Sequence, residues 1–403
     1  MTDKAIGLKV KTYENDDGNS QYAEVKFELN CCDDTVTIYR KEIVGMQFDF
    51  DEEEYFDDYS YTDGVIIHSG KVDVFNTKGM YRDYDVEVGK NYAYWVETGL
   101  AKGRITGPVG VRIRDPRVWW HYDKIQNEMM KIKNAEIIKV GETVHHLPLN
   151  AILAGNRAKM VLGLGVIHAG ESGPEILLSV LKRLTEKNPD LLDKVGFAIL
   201  PNVNADMREE LACGLPKYYR VNRNGVDLNR NFNADWNIVS KTYGLSTDDP
   251  DCVTYRGVYP ESEPETKAVV HFIKSINPSV ILSYHALASV TCDSLLASKN
   301  IPDNSECEEK FEKLARAYSD AFRIAAGEPV IDGNVFYKAC SPGSLGEWSY
   351  QNGYISFDLE LNDGGSIDDF ARARRDLTDV DLLNRAIEYH YNSIVAIMQA
   401  IVE

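Results

Sequence analysis

The chain has 403 residues but only seven cysteines, and none of them form a Cys-x-x-Cys pair. Cys31 and Cys32 are adjacent, while Cys213, Cys252, Cys292, Cys307 and Cys340 are scattered. An odd, sparse set of this kind argues against a disulfide scaffold and a cysteine zinc site, and reads as reduced thiols. One bridge, Cys213 to Cys252, stays open because the pair flanks a polar loop. No apolar run approaches the ~20 residues of a membrane span. Basic charge is scarce too: 44 Lys and Arg against 63 Asp and Glu leave a net charge of −19. Such a surface repels phosphate backbones and anionic lipid, which argues against nucleic acid and membrane as main partners. No basic and apolar leader precedes the first strand-like segment, so the expected location is the cytoplasm. A hydrophobic content of 44% argues against a disordered chain, and the length suffices for two or three domains.

What is present divides near Asp115-Pro116. Residues 1–115 read as a small all-β sandwich domain. The segments Lys9–Tyr13, Ala23–Leu29 and Thr35–Tyr39 alternate apolar and polar residues and are separated by turn clusters. Val86–Val96 and Gly107–Ile113 follow in the same style. The Val86-x-x-Gly89-x-x-Tyr92-x-Tyr94-x-Val96 run resembles the late strands of fibronectin type III modules, which implies that Tyr92 or Tyr94 packs at a corner as a structural residue. Between Asp49 and Asp63 an acidic, aromatic-rich stretch offers many carboxylates, but it lacks EF-hand spacing and reads as a solvated loop.

Residues 116–403 alternate strands and helices. Met160–Ile167 is a continuous apolar run, as in a strand buried on both faces. Pro174–Leu184 reads as a helix and Val195–Leu200 as a strand. Ser262-Glu263-Pro264-Glu265 has the form of a capping box opening a helix to about Ile276. Strands at Val280–Tyr284 and Tyr354–Leu361, and helices at Glu306–Ala326 and Val380–Val402, complete the pattern. The expected class is α/β, with a mixed, mostly parallel central sheet flanked by helices.

Chemistry-bearing residues cluster at the predicted strand ends. His168 and Glu171 lie between a buried strand and a helix, and His285 ends the strand Val280–Tyr284. Open α/β sheets bind ligands at these carboxyl ends. Two histidines and one carboxylate, with a fourth position left for water, make a catalytic zinc set. The run Arg220–Phe232 is rich in Arg and Asn, whose planar fork and amide donors suit a carboxylate.

Gly225-Val226-Asp227-Leu228-Asn229-Arg230-Asn231-Phe232 resembles the hallmark of the M14 metallocarboxypeptidases. His168-Ala169-Gly170-Glu171 is similar to that family's H-x-x-E, and Ser283-Tyr284-His285 to the segment bearing its third ligand. Ser262–Thr266 is similar to a recurrent S-E-P-E-T helix start, and all these motifs fall in family order over residues 118–403. The resemblance implies one zinc per chain on His168, Glu171 and His285, with Glu360 as general base. It implies Arg220 at the scissile carbonyl, and Asn229, Arg230 and Tyr337 on the substrate's terminal carboxylate. The implied substrate is a peptide with a free C-terminus. Asp358 shares the Glu360 face of its strand and is expected to make a structural hydrogen bond; the other reading is a carboxylate that raises the proton affinity of Glu360. The loop from Tyr337 to Trp348 has two more residues than the family pattern and no acid at Leu345 or Gly346, which weakens a basic specificity. Two other readings remain: an amidohydrolase acting on small cell-wall peptides or N-acyl amino acids at the same zinc, favoured slightly by the Arg220-x-Asn222 spacing, and a non-enzymatic peptide-binding module.

Overall fold

A computed structural model describes residues 7–28, 35–43, 60–75, 78–98, 104–171, 173–216, 219–240, 245–285, 294–360 and 380–403. Contacts divide the chain into two units, residues 1–121 with 210–218, and residues 122–209 with 219–403.

The first unit carries eight strands: β1 (Lys9–Glu14), β2 (Gln21–Glu28), β3 (Thr35–Ile43), β4 (Val65–Lys71), β5 (Asp73–Phe75), β6 (Lys78–Asp83), β7 (Asn91–Thr98) and β8 (Arg104–Arg112). They form two antiparallel sheets, ordered β1-β2-β6-β5 and β4-β3-β7-β8. Inward residues of both sheets, among them Val25, Phe27, Ile38, Tyr94 and Val111, share one core. This is the sandwich that the alternation predicts. The segment expected to be a strand from Val86 begins only at Asn91, because Gly89 takes φ 88° in a turn that closes through Lys90 N–H to the Glu87 carbonyl. Tyr92 and Tyr94 are buried: the Tyr92 hydroxyl accepts from Glu87 N–H and the Tyr94 hydroxyl donates to Asp83. The acidic stretch Asp49–Asp58 lies outside the described residues.

The second unit is built on an eight-stranded sheet of β9 (Ala135–Glu142), β10 (Pro148–Ala154), β11 (Met160–Gly165), β12 (Gly196–Leu200), β13 (Val280–Tyr284), β14 (Ser294–Ala297), β15 (Phe336–Lys338) and β16 (Ser356–Glu360). The spatial order is β15-β14-β16-β13-β11-β12-β10-β9. The central run β16-β13-β11-β12 is parallel, and the neighbours β14 and β10 join it antiparallel. Strands β11, β12 and β13 are buried along their whole length. That burial explains their unbroken apolar sequences.

Helices cover the sheet: α1 (Tyr122–Met130), α2 (Pro174–Lys187), α3 (Pro189–Leu192), α4 (Ala205–Ala212), α5 (Pro264–Ile276), α6 (Glu306–Ala326), α7 (Leu345–Gln351) and a C-terminal helix, Val380–Val402. One face of α5 buries Val269, Phe272 and Ile273 in the main core, together with Leu162, Leu164 and Trp348. The expected capping box does not form. Glu263 occupies the N-cap without a side-chain cap bond. Glu265 instead turns its carboxylate to Val144 N–H and to the Asn222 side chain, so the acid that sequence assigns to the cap anchors two loops.

Candidate metal centre

Three loops converge at the carboxyl ends of the parallel strands. β11 ends at Gly165, and the chain turns through Val166 at φ 57° before reaching His168. A β-branched residue in that region is strained. The turn is held by Val203 N–H to the Gly165 carbonyl and Asn204 N–H to the Val166 carbonyl. Glu171 N–H then donates to the His168 carbonyl, which brings the two side chains to the same place. His285 follows β13 directly, and its N–H donates to the Leu359 carbonyl of β16.

The three side chains are buried and meet. His168 Nδ1 lies 2.9 Å from Glu171 Oε2, His285 Nδ1 lies 3.0 Å from the same oxygen, and the two Nδ1 atoms are 3.3 Å apart. Atoms bound at ~2.0–2.1 Å to a tetrahedral zinc stand about 3.3 Å from one another. The nitrogen pair already has that spacing, and the carboxylate oxygen needs to retreat by a few tenths of an ångström. Two imidazoles and one carboxylate are a donor set that fits zinc with one position left for water. Burial alone would raise the Glu171 carboxyl; His168 and His285 instead hold it well below the ordinary range. Burial would likewise lower His285, and Asp358 and Glu171 raise it well above the usual imidazole range. Carboxylates that raise His285 this strongly also stabilise a cation placed beside it.

The far nitrogen of each histidine also faces an acid. His168 Nε2 is 3.1 Å from Asp227 Oδ1. Asp227 is fully buried and caps the short turn Leu228–Arg230 by accepting from Asn229 N–H. Its other oxygen accepts from Arg220 Nε–H at 2.6 Å. Despite the upward push of burial, Arg220, Arg230 and His168 hold this carboxyl far below its ordinary value. His285 Nε2 lies 2.9 Å from Ser283 Oγ and 3.7 Å from Asp358 Oδ1. The backbone of Glu171 is fixed as well: Arg208 donates to its carbonyl and to the carboxylate of Glu175, an ion pair at 2.8 Å with both side chains almost fully buried.

The residues expected to hold substrate are placed as follows. Asn229 and Arg230 are buried on the turn capped by Asp227. The Asn229 amide bridges two elements, accepting from Leu345 N–H at the start of α7 and donating to Asp358 Oδ2 on β16. Arg230 donates through Nη1 to the Asn229 carbonyl. Gly343, at φ 75°, lies against this turn, and a Cβ there would sit 2.1 Å from the Arg230 carbonyl oxygen. Asn222, the other half of the Arg220-x-Asn222 spacing, is occupied within the loop: it donates to Glu263 and Glu265 and accepts from the N–H groups of Asn224 and Val226. Tyr337 lies on β15, at the edge of the sheet, with 43% of its surface exposed. β16 ends at Glu360, opposite Ser294, and the Glu360 side chain falls outside the described residues. Cys213 and Cys252 form no disulfide.

Sequence reasoning left Asp227 without a role, although it stood inside the Arg- and Asn-rich run. A lone acid between so many donors was the available signal. Arg208 and Glu175 carried none, being 33 residues apart on different helices.

Residues 124–384 match the zinc carboxypeptidase family model. Human mast cell carboxypeptidase A is 32% identical over 252 residues, which are 57% of this chain and 58% of that protein. The chain therefore spans less than two thirds of that relative's length. The fold is similar to that of carboxypeptidase A from Helicoverpa armigera, with TM-score 0.57 and 18% identity over 70% of this chain and 73% of the other. A putative carboxypeptidase A from Shewanella denitrificans aligns over 100% of this chain and 98% of its own, with TM-score 0.51 and 14% identity. With a family match over well more than half of its residues, the chain belongs to the zinc carboxypeptidase family.

Proposed function

We propose that this chain is a metallocarboxypeptidase that removes the C-terminal residue of peptides. The observation that carries the reading is the buried donor set His168, Glu171 and His285, one turn of chain away from Asn229 and Arg230 through Asp227. His168, Glu171 and His285 would hold one zinc. Bound zinc supplies a Lewis acid for the scissile carbonyl and acidifies a water.

The remaining steps belong to this chain's own side chains. Glu360 takes a proton as the water oxygen bonds to the carbonyl carbon, and returns it to the amine nitrogen as the C–N bond breaks. Arg220, oriented by Asp227, donates to the carbonyl oxygen as negative charge grows there. Arg230 pairs with the terminal carboxylate, and the second N–H of the Asn229 amide nitrogen assists it. Tyr337 closes over the substrate from β15. Residues 116–403 carry this chemistry, and residues 1–115 are a separate fibronectin type III-like module.

Hydrolysis of a small amide at the same zinc is the other enzymatic reading. The Asn222 side chain that slightly favoured it is committed to Glu263 and Glu265, which removes that support. Protein purified without chelator should contain one zinc per chain and release the C-terminal amino acid from an N-blocked dipeptide. His168→Ala should lose metal and hydrolysis together; retention of either would count against the assignment.

A further inference from the structure

Ser283 and Asp358 face each other across β13 and β16, as Cα partners in a parallel pair. Both lie on the side of His285 turned away from Glu171: Ser283 Oγ at 2.9 Å and Asp358 Oδ1 at 3.7 Å from Nε2. Asp358 is 4% exposed. Its Oδ2 accepts from Asn229, and its Oδ1 accepts no hydrogen bond among the described residues. The arrangement repeats that of His168, whose Nε2 faces Asp227. Both acids are also tied to one residue, since Asn229 gives its backbone N–H to Asp227 and its side-chain N–H to Asp358.

The two neighbours of His285 Nε2 are not equivalent. A hydroxyl can donate or accept, so Ser283 is compatible with a proton on either ring nitrogen. A carboxylate only accepts and is negatively charged, so it favours the form with the proton on Nε2 and the lone pair on Nδ1. Nδ1 is the atom that faces Glu171 and His168. We infer that Asp358 is a positioning residue for the metal site: it fixes the tautomer and ring orientation of His285, and through Asn229 it ties that histidine to the substrate-binding turn. The inference rests on His285 being a metal ligand.

The test is zinc affinity, measured on the full chain by competition with a chelator of known strength. Wild-type protein that binds no zinc would overturn the metal assignment and this inference together. With wild-type binding in place, Asp358→Asn should weaken zinc about 10- to 100-fold, the usual effect of losing a carboxylate behind a metal-bound histidine. Asn preserves volume and can still accept from Asn229, so a packing role alone would leave the affinity unmoved. Cobalt(II)-loaded protein gives a second readout, since its visible bands report ligand orientation and should shift in Asp358→Asn. Affinity within about twofold of wild type, with unshifted bands, would overturn the role of Asp358 and leave the metal assignment standing. Ser283→Ala covers the case in which Asp358→Asn does not fold. Its expected loss stays below about tenfold, the worth of one neutral hydrogen bond, and a larger loss would make Ser283 the orienting group instead.

Discussion

Each histidine of the candidate metal site has an acid beyond its far nitrogen. His168 has Asp227 at 3.1 Å, and Asp227 also receives the Arg220 guanidinium and Asn229 N–H. A single carboxylate therefore faces the histidine, holds the Arg220 side chain and caps the turn that carries Asn229 and Arg230. An acid with that many partners is one reason the hallmark run cannot be a solvated loop. The task proposed for Glu360 is different, because a general base must exchange its proton with the reacting water. Glu360→Gln should keep zinc and lose about 10²- to 10⁴-fold in turnover, since the amide copies the shape and accepts no proton. Zinc analysis alongside kcat checks this, and a variant with more than about a hundredth of the wild-type rate would contradict the general-base role.

The elements matter through two buried polar anchors. Arg208 on α4 links the Glu171 carbonyl to Glu175 on α2. Arg208→Met takes the guanidinium from a buried carboxylate and should cost about 3–5 kcal/mol of stability, read as a lowered denaturant midpoint. A change under about 0.5 kcal/mol would show that the ion pair is replaceable by packing. The second anchor is Glu265 at the start of α5. Burial raises its pKa to about 7, and Glu263 adds to the rise against hydrogen bonds from Val144 and Asn222. The folded protein therefore holds a proton that the unfolded chain releases above its ordinary carboxyl pKa of about 4.3. This contribution to stability is complete below that value and is lost as pH rises towards 7. Glu265→Gln should flatten the fall in stability between roughly pH 4.3 and 7, and an unchanged slope would rule out Glu265 as its source. Both anchors show where sequence reading stops. The apolar runs of β11 and β13 and the boundaries of α6 and the C-terminal helix were legible because period and capping signals are local. The polar edge strand β9 was not, since Ile137 and Ile138 are adjacent and break the alternation. Nor was the use of Glu265, whose partners lie 43 and 121 residues away.

At the scale of the whole molecule, an acidic chain carries a β-sandwich and an α/β unit whose candidate metal site sits at the ends of its central parallel strands. The three donors were legible in the sequence because His168, Glu171 and His285 each stand at or just after the end of an apolar run. The hydrogen bond expected of Asp358 is present, from Asn229, but the contacts of Asp227 and Arg208 were not legible because only folding creates them. The proposed activity has one consequence that separates it from any other hydrolase on the same metal: the substrate must end in a free carboxylate. An amidated peptide leaves the buried Arg230 guanidinium without the charge it would pair with. Losing one side of a buried charged hydrogen bond costs ~2–5 kcal/mol, or roughly 30- to several-thousand-fold in rate. The most direct measurement is kcat/KM for one peptide as free acid and as amide, with wild-type protein and with Arg230→Ala. The account predicts that wild type prefers the free acid by that factor, and that Arg230→Ala loses most of the preference by slowing the free acid. Equal cleavage of both peptides by the wild-type enzyme would contradict it.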